Sequence, residues 1–105
     1  MTLSKTRSSF YRRLYVAYLV SRGIASIPAV TAATGMPRRT AQDTLSALGE
    51  LDIACEFEHE EGARHNIGAY VIRDWGPIDP DWVAAHAEAL RQALGYPPLD
   101  PALTQ

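Results

Sequence analysis

Apolar residues recur at three- and four-residue intervals along several stretches of the chain, which is the spacing of an amphipathic α-helix. In the first stretch this pattern runs from Phe10 to Leu19. Ser8 or Ser9 can cap the start of such a helix, and Gly23 can end it. The pattern therefore predicts a long first helix near the N-terminus.

Two further helices are predicted from the residues at their ends. A short second helix fits residues 27–34, because Ser26 is a good capping residue and Gly35 a good terminator. A third helix over residues 37–51 begins at Pro37, which is favoured in a first turn. Four apolar residues share one face of this helix and are expected in the core. They are Ala41, Leu45, Leu48 and Leu51.

The second half of the chain begins with strand-like patterning. Residues 54–58 and 69–72 have strand character and flank a polar stretch, so we predict a β-hairpin. A last helix then starts after Asp79 and ends before Gly95. The residues expected on one side of it are Trp82, Val83, His86, Leu90 and Leu94.

This order of helix, short helix, tight turn, helix and hairpin is typical of a winged helix-turn-helix domain. We therefore predict an α+β, mainly helical fold with a three-helix core, a β-hairpin wing and a C-terminal helix. The 105 residues have room for one such domain, over residues 9–95. Residues 1–8 are expected to be a flexible basic N-terminus and residues 96–105 a proline-rich tail.

Composition favours a globular protein of the cytoplasm. Hydrophobic residues make up 47% of the chain, an ordinary fraction for a domain with a core. No apolar run is long enough to cross a membrane, and the single Cys55 cannot form an internal disulfide. We expect a cytoplasmic protein without a membrane partner.

Charge is distributed unevenly along the chain, although the net charge is only −2. All 12 acidic residues lie within residues 43–105, whereas residues 1–42 contain most of the basic ones. The basic residues of this first part are Lys5, Arg7, Arg12, Arg13, Arg22, Arg38 and Arg39. Such asymmetry suggests one molecular face suited to a polyanion.

The outward face of the third helix carries side chains that can read DNA. Arginine donates two hydrogen bonds to guanine and glutamine pairs with adenine, whereas an aspartate accepts from cytosine or is repelled by the backbone. Arg38 or Thr40 at the helix start, with Lys5 from the N-terminus, is better suited to phosphates. The candidate DNA-binding residues are Arg38, Arg39, Thr40, Gln42, Asp43, Ser46, Arg12, Arg13 and Arg64. The same residue types also occur on an ordinary solvated helix face.

From about Tyr11 to Trp82 the chain resembles a family of small, mostly uncharacterised prokaryotic proteins described as winged helix-turn-helix DNA-binding proteins. The resemblance is carried by residues 35–44 (GMPRRTAQDT), 48–53 (LGELDI) and 70–78 (YVIRDWGPI), of which the last is the most distinctive. It implies a winged-helix fold and a DNA-binding role that follows from that fold.

The predicted wing is acidic, which opposes a strong grip on phosphate. Its carboxylates are Glu56, Glu58, Glu60 and Glu61. Only Arg64, with His65 when protonated, could anchor the wing to DNA. Charges of this kind also protect a short edge strand from pairing with other chains, and we prefer this explanation.

Other chemistry has little support in the sequence. Cys55, His59 and His65 match no zinc spacing. Cys55 alternates with Phe57 and is expected to be a buried strand residue. There is no phosphate-binding glycine loop and no nucleophile motif. We expect no metal, no cofactor and no enzymatic activity.

Two functions remain open at this stage. The first is a homodimeric transcriptional regulator that binds double-stranded DNA, with subunits joined through the first helix, the last helix or both. The second is a winged-helix protein-interaction module that does not bind DNA, as the acidic wing and negative net charge suggest. A positive surface that joins the third helix to the N-terminal basic residues favours the first function. The sequence identifies no small-molecule effector.

Overall fold

The computed structural model describes residues 3–59 and 68–99. The helices are α1 (Lys5–Ser21), α2 (Ile27–Thr34), α3 (Arg38–Ser46) and α4 (Pro80–Leu94), and a 3₁₀ helix over Ala47–Leu51 follows α3. Strands β1 (Ala54–His59) and β2 (Gly68–Asp74) form an antiparallel hairpin. The predicted mainly helical fold with one hairpin is therefore confirmed.

Helices α2 and α4 begin and end where the sequence predicts. The Ser26 hydroxyl accepts a hydrogen bond from the Ala29 amide at 3.2 Å, and Asp79 caps α4 by accepting from the Asp81 amide at 2.9 Å. Gly35 and Gly95 end the two helices in the left-handed conformation, with φ of 81° and 75°. The ends of these two helices are determined by local interactions, because each cap depends on residues within one helical turn.

Two predicted helix boundaries are wrong. Helix α1 begins at Lys5, with Ser4 as its cap, and so the first turn lies before the predicted Ser8 or Ser9. The residues from Lys5 onward are therefore helical, although residues 1–8 were expected to be flexible. Helix α3 ends at Ser46, and the rest of the predicted helix forms the more tightly wound 3₁₀ helix. Asp52 ends this segment in the left-handed conformation, with φ of 61°.

The core lies between α1 and the elements that surround it. Leu14, Val16 and Leu19 of α1 are buried together with residues of every other helix. The sequence predicted four inward-facing residues on the third helix. Of these, Ala41, Leu45 and Leu48 are buried, whereas Leu51 is half-buried. The hairpin joins this core through the Tyr70 amide, which donates a hydrogen bond to the Ala25 carbonyl at 2.8 Å.

Helix α4 buries a narrower face than its sequence suggests. Val83 and Leu90 are buried as predicted, but Trp82 and His86 are exposed. Their rings stack with centroids 3.9 Å apart, and His86 Nδ1 lies 2.7 Å from the Trp82 carbonyl oxygen. Trp82 and His86 therefore form an edge of the predicted apolar side that remains at the protein surface.

The chain after α4 returns to the core. Tyr96 is half-buried, and its ring centroid lies 5.8 Å from that of Tyr15. Arg91 donates a hydrogen bond to the Tyr96 carbonyl at 2.6 Å. The beginning of the predicted tail is therefore packed, whereas residues 100–105 lie outside the described part of the chain.

Candidate nucleic-acid interface

The turn between α2 and α3 is fixed by its own side chains. The Thr34 hydroxyl donates to the Val30 carbonyl at 2.8 Å and accepts from the Met36 amide at 3.1 Å. Gly35 supplies the left-handed residue, and the Met36 side chain is buried in the core. Because both ends of the turn are held, α3 has a defined direction relative to α2.

The outward face of α3 is the face predicted from the sequence. Five candidate side chains are exposed on it, namely Arg38, Arg39, Gln42, Asp43 and Ser46. Arg39 Nε lies 3.4 Å from Asp43 Oδ1, so the carboxylate one turn away holds this guanidinium. Thr40 is half-buried, and its carbonyl accepts a hydrogen bond from the buried Thr44 hydroxyl at 2.7 Å.

A cleft of about 290 Å³ separates α3 from the N-terminal half of α1. Arg12 and Arg13 line it from α1, and Thr40 and Asp43 line it from α3. The structure therefore brings two basic residues of the first helix beside the polar face of the third, although they are far apart in sequence. Asp43 is the acidic residue in this lining, and it is paired with Arg39.

The N-terminus of α3 also favours an anion. Its cap is Pro37, which makes no side-chain hydrogen bond to the first turn. The first amides of a helix have no partner within the helix and carry partial positive charge. In α3 those amides belong to Arg38, Arg39 and Thr40, so backbone donors and guanidinium groups are available at the same helix end.

The wing carries less free negative charge than its sequence suggests. Arg73 of β2 lies opposite β1, where its Nε is 3.4 Å from Glu56 Oε2 and its Nη2 pairs with Glu58. These contacts raise the pKa of Arg73, first through its hydrogen bond with Glu58. The predicted wing residues Glu60, Glu61, Arg64 and His65 lie outside the described residues.

The amino-acid sequence matches a family model described as winged helix-turn-helix over residues 5–94. The chain belongs to the winged helix-turn-helix family. Membership in this family favours DNA binding in general, because α3 occupies the position of the helix that enters the major groove. The resemblance noted in the sequence is thus confirmed.

A solved structure supports the same assignment. The winged helix-turn-helix chain is similar to a DUF2131 family protein from Shewanella amazonensis, with 38% sequence identity and a TM-score of 0.83. The match covers 90% of this chain and 96% of the other. No curated protein matches the chain significantly.

Other candidate sites do not assemble in the part of the molecule that the structure describes. No group of three metal-ligating side chains occurs within residues 3–59 and 68–99. Cys55 is half-buried, and burial, followed by the neighbouring Glu56, raises the pKa of its thiol. Over the same residues, no helix has the length and apolar character that a membrane span needs.

The sequence alone did not assign a side-chain role to three residues that shape this surface. Thr34 and Met36 fix the turn before α3, and Arg73 pairs with the wing carboxylates. A threonine just before the helix-ending glycine was a usable local signal, because its hydroxyl can bond a carbonyl one turn back. Arg73 gave no such signal, since its partners depend on the strand register.

Proposed function

We propose that this winged helix-turn-helix protein binds double-stranded DNA and regulates transcription. Helix α3 would enter the major groove and present Arg39, Gln42 and Ser46 to base edges, with Asp43 holding Arg39 in place. Arg38 and the α3 amides would contact a phosphate. Arg12 and Arg13 would contact the backbone beside the groove.

The observation that carries this proposal is the shared cleft between α1 and α3. Arg12 and Arg13 of α1 lie there next to Thr40 and Asp43 of α3, and Asp43 is in turn paired with Arg39. Basic side chains beside the helix attract the phosphate backbone and would orient α3 for base contacts. Asp43 is an acidic residue within this surface, but its carboxylate is paired with Arg39. On that basis we favour DNA binding over the protein-interaction function, for which a surface interrupted by acidic side chains was expected.

Binding to random-sequence duplex DNA tests the proposal without knowledge of an operator. The measurement is fluorescence anisotropy of a labelled duplex titrated with the purified protein over a series of salt concentrations. We expect a dissociation constant of roughly 1–100 µM near physiological salt. If Arg12, Arg13, Arg38 and Arg39 contact phosphates, log affinity should fall against log salt with a slope of about −3 to −4.

Absence of binding even at low salt would contradict the proposal and favour the protein-interaction function. A slope near zero would also contradict it, because DNA binding of this type releases counterions from the phosphates. The same titration with heparin in place of DNA serves as a control for binding that depends on charge alone. Duplex DNA should bind more tightly than heparin fragments of matched charge if α3 fits a groove.

We further propose that the protein forms a homodimer, in which the subunits contact each other through the exposed aromatic surface near the start of α1 and of α4. Phe10 and Trp82 are 37% and 46% exposed, and both line two neighbouring concave regions of about 290 and 510 Å³. Burial of large aromatic side chains is a main source of association free energy. A two-fold dimer would also double the DNA contacts of one wing module.

Sedimentation equilibrium at tens of micromolar protein tests the dimer. We expect a mass of roughly twice the 11.5 kDa of one chain. Trp82→Ser should lower the mass toward that of the monomer. Phe57→Ser is the matched control, because Phe57 is 36% exposed but lies on the wing, and it should leave the dimer intact. A monomeric wild-type protein would contradict this interface.

A further inference from the structure

An acidic side chain lies on the face of α3 that is proposed to meet DNA. Residues 1–42 contain no acidic residue, and Asp43 is the acidic residue of α3. Its side chain is 66% exposed, and its Oδ1 lies 3.4 Å from Nε of Arg39, which is 86% exposed. A carboxylate on this surface repels the phosphate backbone, so affinity for DNA in general does not explain its position.

Helix stability does not explain this ion pair either. Arg39 lies in the first turn of α3, near the positive end of the helix dipole, and Asp43 lies one turn later, toward the negative end. Each charge therefore stands nearer the end that disfavours it. An ion pair in which the acidic residue comes second is also the weaker of the two orientations on a helix. Because both side chains are exposed, their pairing contributes little to the free energy of folding.

The contact between the two side chains leaves other polar atoms of both available. Asp43 approaches Arg39 at Nε, so the two terminal nitrogens of the guanidinium keep their donors. Those nitrogens form the fork that donates to O6 and N7 of guanine. The carboxylate has a second oxygen that can accept from N4 of cytosine. The opposite face of α3 is buried in the core at Ala41 and Leu45, so the exposed face has a fixed direction.

The chemistry of the base edges determines which bases suit the two groups. In the major groove cytosine presents only an amino donor, whereas guanine and thymine present acceptors that repel a carboxylate. Adenine presents an acceptor beside its donor and therefore suits Asp43 less well. The paired atoms of Arg39 and Asp43 are 3.4 Å apart, which is about the spacing of neighbouring stacked bases. The two groups can therefore reach adjacent base pairs.

We propose that Arg39 and Asp43 select two adjacent G·C base pairs in the major groove. Arg39 donates to O6 and N7 of guanine in one pair, and Asp43 accepts from N4 of cytosine in the next. The carboxylate also holds the guanidinium beside its guanine and rejects bases that present an acceptor. This inference rests on the proposed DNA binding and extends it to the base sequence that α3 reads.

Selection from a library of randomised duplexes gives the sequence that the full chain prefers. Bound duplexes are recovered, amplified and sequenced, and the affinities of chosen duplexes are then measured by fluorescence anisotropy. We expect an enriched motif that contains two adjacent G·C pairs. Replacing the pair read by Arg39 with A·T should weaken binding of the wild-type protein by roughly 5- to 150-fold.

Asp43→Asn keeps the shape of the side chain and removes its charge, so it separates base selection from affinity. Binding to random duplex DNA should become roughly two- to fivefold tighter, because repulsion of the phosphates is lost. Discrimination against other bases at the cytosine read by Asp43 should fall roughly tenfold. Glu50→Gln is the matched control, because Glu50 is exposed in the 3₁₀ helix that follows α3. It removes the same charge and should leave base discrimination unchanged.

Arg39→Ala and Arg38→Ala form a second matched pair, since each removes an exposed arginine from the first turn of α3. Arg39→Ala should lower the preference for guanine at its base pair roughly tenfold or more. Arg38→Ala should weaken binding to all sequences alike, because Arg38 is proposed to contact a phosphate.

The inference is overturned if the enriched motif lacks adjacent G·C pairs, or if DNA is bound without any enriched motif. It is also overturned if the two arginine variants change the base preference equally. Asp43→Asn must likewise differ from Glu50→Gln in base discrimination, and equal behaviour would refute the role of the carboxylate. These outcomes leave DNA binding itself intact, whereas absence of binding to random duplex DNA at low salt would contradict the proposed function.

Discussion

Replacing both Arg38 and Arg39 with alanine is expected to weaken binding to duplex DNA by roughly 30-fold or more. Both side chains are exposed at the start of α3, where the first helix amides could also contact a phosphate. Loss of an arginine that contacts a base or a phosphate costs about 1–3 kcal/mol. If both residues contact phosphates in random DNA, the slope of log affinity against log salt should also become less negative by about two.

The measurement is the anisotropy titration described above, carried out for the two single variants and the double variant. Arg22→Ala is the charge-matched control for each single variant, because Arg22 is an exposed arginine at the opposite end of α1. It should change the affinity by less than about threefold. Circular dichroism should show the same folded state for all of these proteins, since the three arginines lie outside the core. If Arg22→Ala and Arg39→Ala reduced the affinity for duplex DNA equally, the result would contradict the binding of α3 in the major groove.

Gly76→Ala is expected to lower the free energy of unfolding by about 3 kcal/mol or more. Gly76 follows β2 with φ of 59°, and its amide donates to Asp74 Oδ1 at 2.7 Å. An alanine Cβ at this position would overlap the carbonyl oxygen of Asp52, which belongs to the turn before β1. Both turns at the base of the wing would therefore have to move.

Gly95→Ala separates the steric overlap from the cost of the left-handed conformation. Gly95 has a similar φ of 75°, but apart from its own chain neighbours no atom of the described residues lies within 4 Å of the position that an alanine Cβ would occupy there. Only the conformational cost of about 1 kcal/mol therefore applies. Urea denaturation followed by tryptophan fluorescence gives both free energies of unfolding. Equal destabilisation by the two substitutions would show that the base of the wing adapts to the extra methyl group.

Short-range signals in the sequence were reliable where a single turn of chain decides the structure. Ser26, Gly35, Asp79 and Gly95 marked helix ends correctly, because a cap needs only its own neighbours. The start of α1 was misplaced because its first turn is polar and offers several possible caps. Ser4 is used, and the apolar pattern that begins at Phe10 could not show this.

Patterns that span a whole helix were less reliable. The spacing of the leucines predicted a continuous α-helix over residues 37–51, but from Ala47 onward the chain forms a 3₁₀ helix. Gly49 lies in this segment, and glycine weakens the α-helix at that point. Leu48 is buried, as the α-helical spacing also predicted, so periodicity alone did not reveal the change of winding.

For the candidate DNA-binding residues, the sequence predicted the exposed face of α3 but not which residues of other elements lie beside it. The exposed face of α3 follows from its apolar face, because the two are opposite each other on one helix. The position of Arg12 and Arg13 beside that face depends on how α1 packs against α3, which no local pattern encodes. The pairing of Arg73 with Glu56 and Glu58 depends in the same way on the register of the hairpin.

The sequence by itself determined the order of elements, the caps of α2 and α4 and the polar face of α3, since each rests on interactions within a few residues. Only the tertiary structure decided the cleft between α1 and α3, the exposure of Trp82 and the burial of Tyr15. These features arise where segments distant in the chain pack together, and their geometry depends on side-chain volumes on both sides of each contact.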